Sequence, residues 1–593
     1  MANLPRFLPR FLPHSILDRD YWTNLANRPH LAPVLREVES LAASAGSRPP
    51  LPSASDYLRA RRYNDRNTVD IEWQKTRGVL SALIVRRCLL GIDPNDPDDR
   101  LLDWLWGYTH HFSWCVSQHL QDMQLPAPYQ AWLDRAATEM CALLAEAREI
   151  LLPWINEVAP ALGEAIIHEI DHRVLDHFVA GRMCDNWTPP TGHINNWLGV
   201  CSGSLLAAAD SMAAQGFARP AVRERCLELL RFFFDHAFTP TGECDEGLAY
   251  WTYGLEFSVV GLSRLNSEEL ASHLELKRLA TVADYPRRAH LFGNVFFSGN
   301  DSVLHERPTR GVASWLGQLC DNPWLMAWAG QNPRTRTRHL SLILRALDEP
   351  APSGDALPPP PRTQHLPDQQ TAIFRTTSAG GELLAVLSGG HNAERHNHND
   401  VGHFIIALGG RLIVPDLGNI NYPSDYFGSK RYTYLAASSR GHNVPLFFGY
   451  EQRPGREAGA SVVAFDEERQ AFEIEAAAAY PSECGLRSWR RRLEMGSGAV
   501  RIVDHIDAAA SAAPVVHTIW SCQKPVARAS QVQLGPLLLR LDPRPEAIRI
   551  SEIDPAEHRL REWQDTKLYR IEAEYRCDGR PLVITSDFDV TKA

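Results

Sequence analysis

The sequence predicts an α+β protein of two domains, an N-terminal array of helical hairpins that an (α/α) toroid would close, followed by an antiparallel β-sandwich. Three observations predict it. A proline-rich stretch, Glu349-Pro350-Ala351-Pro352-Ser353-Gly354 through Pro358-Pro359-Pro360-Pro361, fits neither a helix nor an inner strand and reads as a semi-rigid linker. Before it, apolar residues recur at helical spacing. After it, short β-type runs alternate with glycine turns. The chain of 593 residues is longer than one hydrophobic core usually organises. The expected division is a helical domain over 1–348, a linker over 349–362 and a sandwich over 363–593.

In the helical part, Leu162, Ile166, Ile170, Val174 and Phe178 form one apolar stripe, and Val222, Cys226, Leu229, Leu230 and Phe233 form another. Trp104, Trp106 and Trp114 mark a third long periodic stretch, and no convincing strand precedes the linker. Beyond the linker, Ala372–Phe374 and Leu383–Val386 flank Ser378-Ala379-Gly380-Gly381. Phe404–Leu408 and Leu412–Val414 flank Gly409-Gly410, a pair suited to a tight primed hairpin turn. Arg490–Leu493 and Val500–Val503 flank Gly496-Ser497-Gly498, and the rhythm continues to Val583–Thr585. Stacked antiparallel sheets follow from this pattern.

The composition is that of an ordinary globular protein, 44% hydrophobic and 22% charged. A net charge of -10 argues against a nucleic-acid partner, yet leaves room for a local basic cleft that would take an acidic ligand. The eleven cysteines are odd in number and contain no C-x-x-C pair, which fits a reducing compartment better than a disulfide framework. Prolines and arginines interrupt every apolar run of the first thirteen residues, so no signal peptide is read there and a cytoplasmic location is expected, ahead of a periplasmic one. No apolar run has the length of a membrane span, so no membrane partner is expected. A homodimer is only the common default.

Four groups of residues could carry chemistry. In Arg395-His396-Asn397-His398-Asn399-Asp400 the two histidines and Asp400 alternate, so an extended segment would show them on one face. Asp416 and His442 follow, and two imidazoles with a carboxylate can supply three ligands to a zinc ion. The same residues could equally cap turns at a sandwich edge. Tyr250 and Tyr253, in Glu246-Gly247-Leu248-Ala249-Tyr250-Trp251-Thr252-Tyr253-Gly254, stand three apart on a helical turn. A phenol can act as general acid or base if nearby cations lower its pKa from about 10. Packing of helix on helix is the plainer role for that aromatic patch. In Gly192-His193-Ile194-Asn195-Asn196-Trp197, the asparagines could cap the following helix or hydrogen-bond a substrate carboxylate. His168-Glu169-Ile170-Asp171-His172 matches the H-E-x-x-H zinc-peptidase pattern. No extension of that motif follows it, and it reads as the polar face of an amphipathic helix.

Taken together and in this order, these segments resemble the heparinase II/III-like polysaccharide lyases. The resemblance is strongest from His396 through Asp416 and Gly418 to His442-Asn443, with support from Asn195-Asn196-Trp197 and from Glu246 to Gly254. It implies a toroid packed on a β-sandwich and β-elimination on uronic-acid-containing glycans, leaving a 4,5-unsaturated uronate. Asn196, with Asn195 beside it, would neutralise the uronate carboxylate; Tyr250, ahead of Tyr253, would be the acid and for some epimers the base. His396 would be the second proton-transfer residue. His398, Asp416 and His442 would hold a structural zinc. Several relatives carry a histidine directly after the asparagine, and here the nearest is His193, which leaves the base open between His193, His396 and Tyr250. The substrate would be an acidic oligosaccharide or polysaccharide, with alginate, heparan-type and hyaluronan-type chains all admitted. Two other readings stand beside this one. A glycoside hydrolase on a toroid would need two carboxylic acids, of which Asp245 and Glu246 are candidates. A non-catalytic acidic-glycan-binding protein would use Trp197, Trp251 and the tyrosines as sugar platforms.

Overall fold

The structure is a computed structural model that describes residues 8 and 10–591, except 64–68, 70–71, 94–97, 120–132, 183–186, 188–193, 298, 306, 332–336, 350, 352–355 and 424. The chain forms two compact units. The first comprises Met1–Phe238, Trp251–Asp284 and Pro308–Pro358; the second comprises Thr239–Tyr250, Tyr285–Arg307 and Pro359–Ala593. The units thus change over at the proline-rich stretch, but two segments from before it belong with the second unit.

The first unit is helical. Arg135–Val158 packs against Asn196–Ala214, which packs against Pro220–His236. Asp134 starts the first of these by accepting the backbone N–H of Ala137, satisfying one of the open donors of a helix N-terminus. Asn196–Ala214 is buried along nearly its whole length. Its Gly203 lies so close to the next helix that a Cβ would run into the backbone carbonyl of Phe257, so only glycine allows that crossing. The stripe from Leu162 to Phe178 is wholly buried, on Pro160–Ile170, a π-helical turn Asp171–Leu175 and Asp176–Val179. Its apolar residues recur every four positions, longer than the 3.6 of an α-helix, and the wider π turn takes up the drift. Trp104 and Trp114 are buried, whereas Trp106 is exposed. Arg264, on a turn, and Arg345, on a helix, both reach the buried carboxylate of Glu146, at 2.9 and 3.1 Å, tying that turn and two helices together in the interior.

The second unit is built of antiparallel sheets. Five strands run in chain order, Thr363–Leu366, Thr371–Ser378, Gly381–Ser388, Phe404–Leu408 and Arg411–Val414. An eight-stranded sheet includes Leu486–Gly496, Ala499–Ala508 and Leu582–Val590, and a four-stranded sheet includes Ser511–Ser521 and Leu568–Cys577. Phe374 and Ile406 from the first sheet, Leu493 and Phe588 from the second, and Ile519 and Ile571 from the third share one core. The expected hairpins are all present. Gly409 and Gly410 both have positive φ, 58° and 72°, the backbone that a two-residue primed turn requires. One expectation fails: His290–Phe292 and Val295–Phe296 pair as strands before the linker. Two or three residues are too few to leave a period-two signal. Arg375, on the second strand of the five-stranded sheet, donates to the carbonyls of His290 and Leu291 at 2.6 and 3.0 Å, which fastens this hairpin to the unit. Among the described residues, no helix is long and apolar enough to cross a membrane.

Candidate active site

The site in the second unit forms where three distant segments meet. Glu243 receives the backbone N–H of Gln369 at 2.8 Å and the guanidinium of Arg288 at 3.0 Å, which anchors residues 239–250. Gly247, at φ 87°, lies against Ser302, whose hydroxyl accepts the N–H of Ala249 at 3.0 Å. This sets the start of the helix Leu248–Leu262 on the loop that carries Asp301, and Tyr250 stands on its first turn.

His396 has φ 57°, a left-handed conformation rare for a residue with a Cβ. The segment is therefore not the extended run that alternation suggested. The turn sends its two histidines to different partners. The His396 ring stacks on Tyr250, with centroids 4.2 Å apart and planes at 17°. The Tyr250 hydroxyl lies 3.3 Å from His396 Nδ1 and 3.0 Å from the Tyr422 hydroxyl. Burial, with the negative charges of Asp301 and Glu246 adding to it, pushes the Tyr250 phenol above its ordinary range. Nearby cations were expected to lower it; Arg431 does act in that sense but is outweighed. A phenol so placed keeps its proton and is a donor.

Asp301 is fully buried and accepts from four groups. Oδ2 takes His396 Nδ1 at 3.1 Å and Arg431 Nη2 at 2.9 Å; Oδ1 takes His398 Nε2 at 3.0 Å and the Tyr426 hydroxyl at 2.5 Å. Burial would raise this carboxyl, but the two histidines and the Arg431 cation prevail and hold it well below the carboxylate range. An ionised carboxylate only accepts, so the proton of each ring sits on the nitrogen that faces Asp301. The nitrogens turned away from Asp301 are His396 Nε2 and His398 Nδ1. His396 Nε2 lies 3.7 Å from Glu246 Oε2.

His398 leads to a cluster of potential metal ligands. His398, Asp400 and His442 form one group, and His403, Asp416 and His442 another, so the three residues expected to share an ion divide over two groups that meet at His442. His442 Nε2 donates to the Ala436 carbonyl at 2.8 Å, so Nδ1 is the nitrogen that would face an ion. His398 Nδ1 and His442 Nδ1 are both buried without a hydrogen-bond partner. His442 Nδ1 lies 3.4 Å from Asp416 Oδ2 and 3.8 Å from Asp400 Oδ2, spacings compatible with ligands about 2.0–2.2 Å from a common ion. Two buried imidazole nitrogens without hydrogen-bond partners, beside two carboxylates, fit a cation. His403 differs. Its Nδ1 accepts the Asn443 backbone N–H at 2.9 Å, so its proton is on Nε2, 3.1 Å from Asp416 Oδ2. It orients the carboxylate instead of ligating. Gly418 N–H occupies the other Asp416 oxygen at 2.6 Å. Burial would raise Asp416, yet His403 and His442 hold it well below its usual range.

The remaining sequence candidates lie in the first unit. Asn195 is the N-cap of Asn196–Ala214, its side-chain oxygen accepting Trp197 N–H at 2.9 Å, so the capping role is real. Asn196 is buried on the first turn, 3.3 Å from where a Cβ on Gly254 would stand. Tyr253 donates to Glu139 and accepts from Arg135 at 3.1 Å. His193 lies outside the described residues. His168 and His172 are exposed and stacked 5.8 Å apart, Glu169 is paired with Arg173, and none of them belongs to a metal group among the described residues.

Residues 359–550 match the family profile "Heparinase II/III-like, C-terminal". This part of the chain is a heparinase II/III-like domain. The domain spans the strands and loops that bear His396, His398, Asp416, Arg431 and His442. No curated protein sequence matches the chain. Among solved structures, one described as heparinase III aligns at TM-score 0.61 and 14% identity, covering 96% of this chain and 94% of that one. Heparan sulfate lyase HepC from Pedobacter heparinus aligns at TM-score 0.55 and 12% identity, covering 97% and 88%. Chondroitin AC lyase from Streptomyces coelicolor A3, solved with chondroitin sulphate, aligns at TM-score 0.53 and 13% identity, covering 97% and 82%. At these identities the likeness is one of fold, and it bears out the toroid and sandwich architecture.

Asp301, Tyr422, Tyr426, Arg431 and His403 were not singled out from the sequence. Asp301 sits in Gly299-Asn300-Asp301-Ser302, short of the linker and outside any periodic pattern. Its one sequence signal is a short run of small polar residues.

Proposed function

We propose that the protein is a polysaccharide or oligosaccharide lyase that cleaves uronate-containing glycans by β-elimination. The observation that carries this is the Tyr250–His396 pair, a proton-holding phenol stacked on an imidazole whose Nδ1 is held by Asp301 and whose Nε2 is turned away from it. Elimination removes the proton from C5, forms the C4–C5 double bond, breaks the bond from C4 to O4 and protonates the departing O4. His396 Nε2 is suited to take a proton and Tyr250 to give one. Tyr253 is already engaged by Glu139 and Arg135, so Tyr250 is preferred as acid. Carbon acidity at C5 requires the uronate carboxylate to be neutralised by a donor. Asn196 is the residue proposed for this, since the oxygen of Asn195 serves as the helix cap.

The metal proposed is zinc, because imidazole with carboxylate is a zinc-type donor set. His398, Asp400 and His442 would hold it, with Asp416 on the other side of His442, and it would brace the loops of the β unit. The names of the aligned structures point to glycosaminoglycan-type chains; alginate is a second class to include. In the cytoplasmic setting expected from the sequence, imported oligosaccharides would be the substrates.

The test is incubation with heparan-, chondroitin-, hyaluronan- and alginate-type oligosaccharides while ultraviolet absorbance of the unsaturated uronate is followed. A lyase generates that chromophore. Release of reducing sugar without it would make the protein a hydrolase, and binding with no cleavage would make it a lectin.

A further inference from the structure

We propose that Asp301 is a positioning residue shared by two centres, setting through one carboxylate the protonated nitrogen of both His396 and His398. The assignment of His396 to proton transfer rests on the elimination reading above; the assignment of His398 does not. Three features carry the inference. The carboxylate stands between the rings, with a different oxygen on each, 3.1 Å from His396 Nδ1 and 3.0 Å from His398 Nε2. Its backbone N–H donates to the His396 carbonyl at 3.0 Å, holding the left-handed turn at that residue. Arg431 grips Asp301 Oδ2 at 2.9 Å and the Asn397 carbonyl at 2.8 Å, so the peptide between the two histidines is clamped to the same group.

The two oxygens are not equivalent. Oδ2 faces Arg431, which can only donate, whereas Oδ1 faces the Tyr426 hydroxyl, which can turn and accept. An asparagine at 301 would therefore keep its oxygen towards Arg431 and His396 and present its amide N–H to His398 Nε2. Only a ring protonated on Nδ1 accepts that donor, and such a ring has lost the lone pair that would face the ion. The amide substitution thus reverses the bond to His398 while keeping an oxygen on His396, whereas alanine removes the acceptor from both rings.

The experiment compares Asp301→Asn and Asp301→Ala in the full-length protein. Zinc affinity is measured by competition with a chromophoric chelator, and steady-state kinetics are measured with zinc in excess. Asp301→Asn is expected to weaken zinc by at least about tenfold, the scale of lost outer-shell support, and to lower kcat by less than Asp301→Ala does. Asp301→Ala is expected to lower both zinc affinity and kcat by about tenfold or more. A zinc affinity in Asp301→Asn within about threefold of wild type would overturn the proposal, as would equal losses of kcat in the two variants. Selective 15N-histidine NMR of the wild type decides the matter without a variant at 301. Protons are expected on Nδ1 of His396 and Nε2 of His398, assigned by their disappearance in His396→Ala and His398→Ala. A proton on the opposite nitrogen of either ring refutes the inference whether or not any glycan is cleaved.

Discussion

Replacing Tyr250 by phenylalanine removes one oxygen and leaves the ring that stacks on His396 at 4.2 Å. That oxygen makes contacts with Tyr422 at 3.0 Å and with His396 Nδ1 at 3.3 Å. The His396 nitrogen is also held by Asp301, so the contact with Tyr422 is the one lost outright. The structural cost is that of one net hydrogen bond, about 1 kcal/mol. The chemical cost is of a different order. A positioned general acid contributes about 10²–10⁴ in rate, roughly 3–5.5 kcal/mol at the barrier. Tyr250→Phe should therefore lower kcat for chromophore formation by at least about 100-fold, with KM nearly constant and the thermal midpoint close to wild type. The assay is continuous absorbance on the cleaved oligosaccharide, paired with calorimetry. A kcat within a few-fold of wild type would move the acid role away from Tyr250, and a collapse of the midpoint would show the hydroxyl to be structural.

Two further outcomes follow from the same geometry. Asp504 is buried and takes Arg491 through Nε at 2.7 Å and Nη2 at 2.9 Å, with the Trp489 indole at 2.7 Å. Asp504→Ala strands the buried guanidinium and should cost about 3–5 kcal/mol in denaturant unfolding; a loss under about 1 kcal/mol would mean that the site relaxes around the cation. His398→Ala should reduce bound zinc measured by elemental analysis and lower the thermal midpoint, and an unchanged metal content would remove His398 from the ligand set.

The fold was legible where local chemistry writes it. Gly409-Gly410 demands a primed turn and names the two strands that flank it, and the four-residue spacing of Leu162 to Phe178 names a buried helical stripe. The site was legible only in part. His396, His398 and His442 stand out because three histidines fall near glycines and carboxylates, yet alternation put His396 and His398 on one face, and they part. The left-handed φ of His396 does it, and no rule of side-chain periodicity predicts a positive φ at a residue with a Cβ. Asp301 was invisible because its meaning lies in partners 95 to 130 residues away. His403 differs from its neighbours only in which backbone group touches Nδ1, a property of the folded loop.

The return of residues 239–250 and 285–307 to the β unit bears on when that unit can be completed. Asp301 leaves the ribosome 130 residues ahead of Arg431, which at about 5–20 residues per second is a wait of roughly 6–26 s. Throughout that interval its carboxylate is hydrated, and the helical unit assembles around a stretch whose own partners do not yet exist. A chain cut at the proline-rich stretch separates Tyr250 and Asp301 from His396 and His398. Severed there, the heparinase II/III-like domain would keep its sheets and lose its acid.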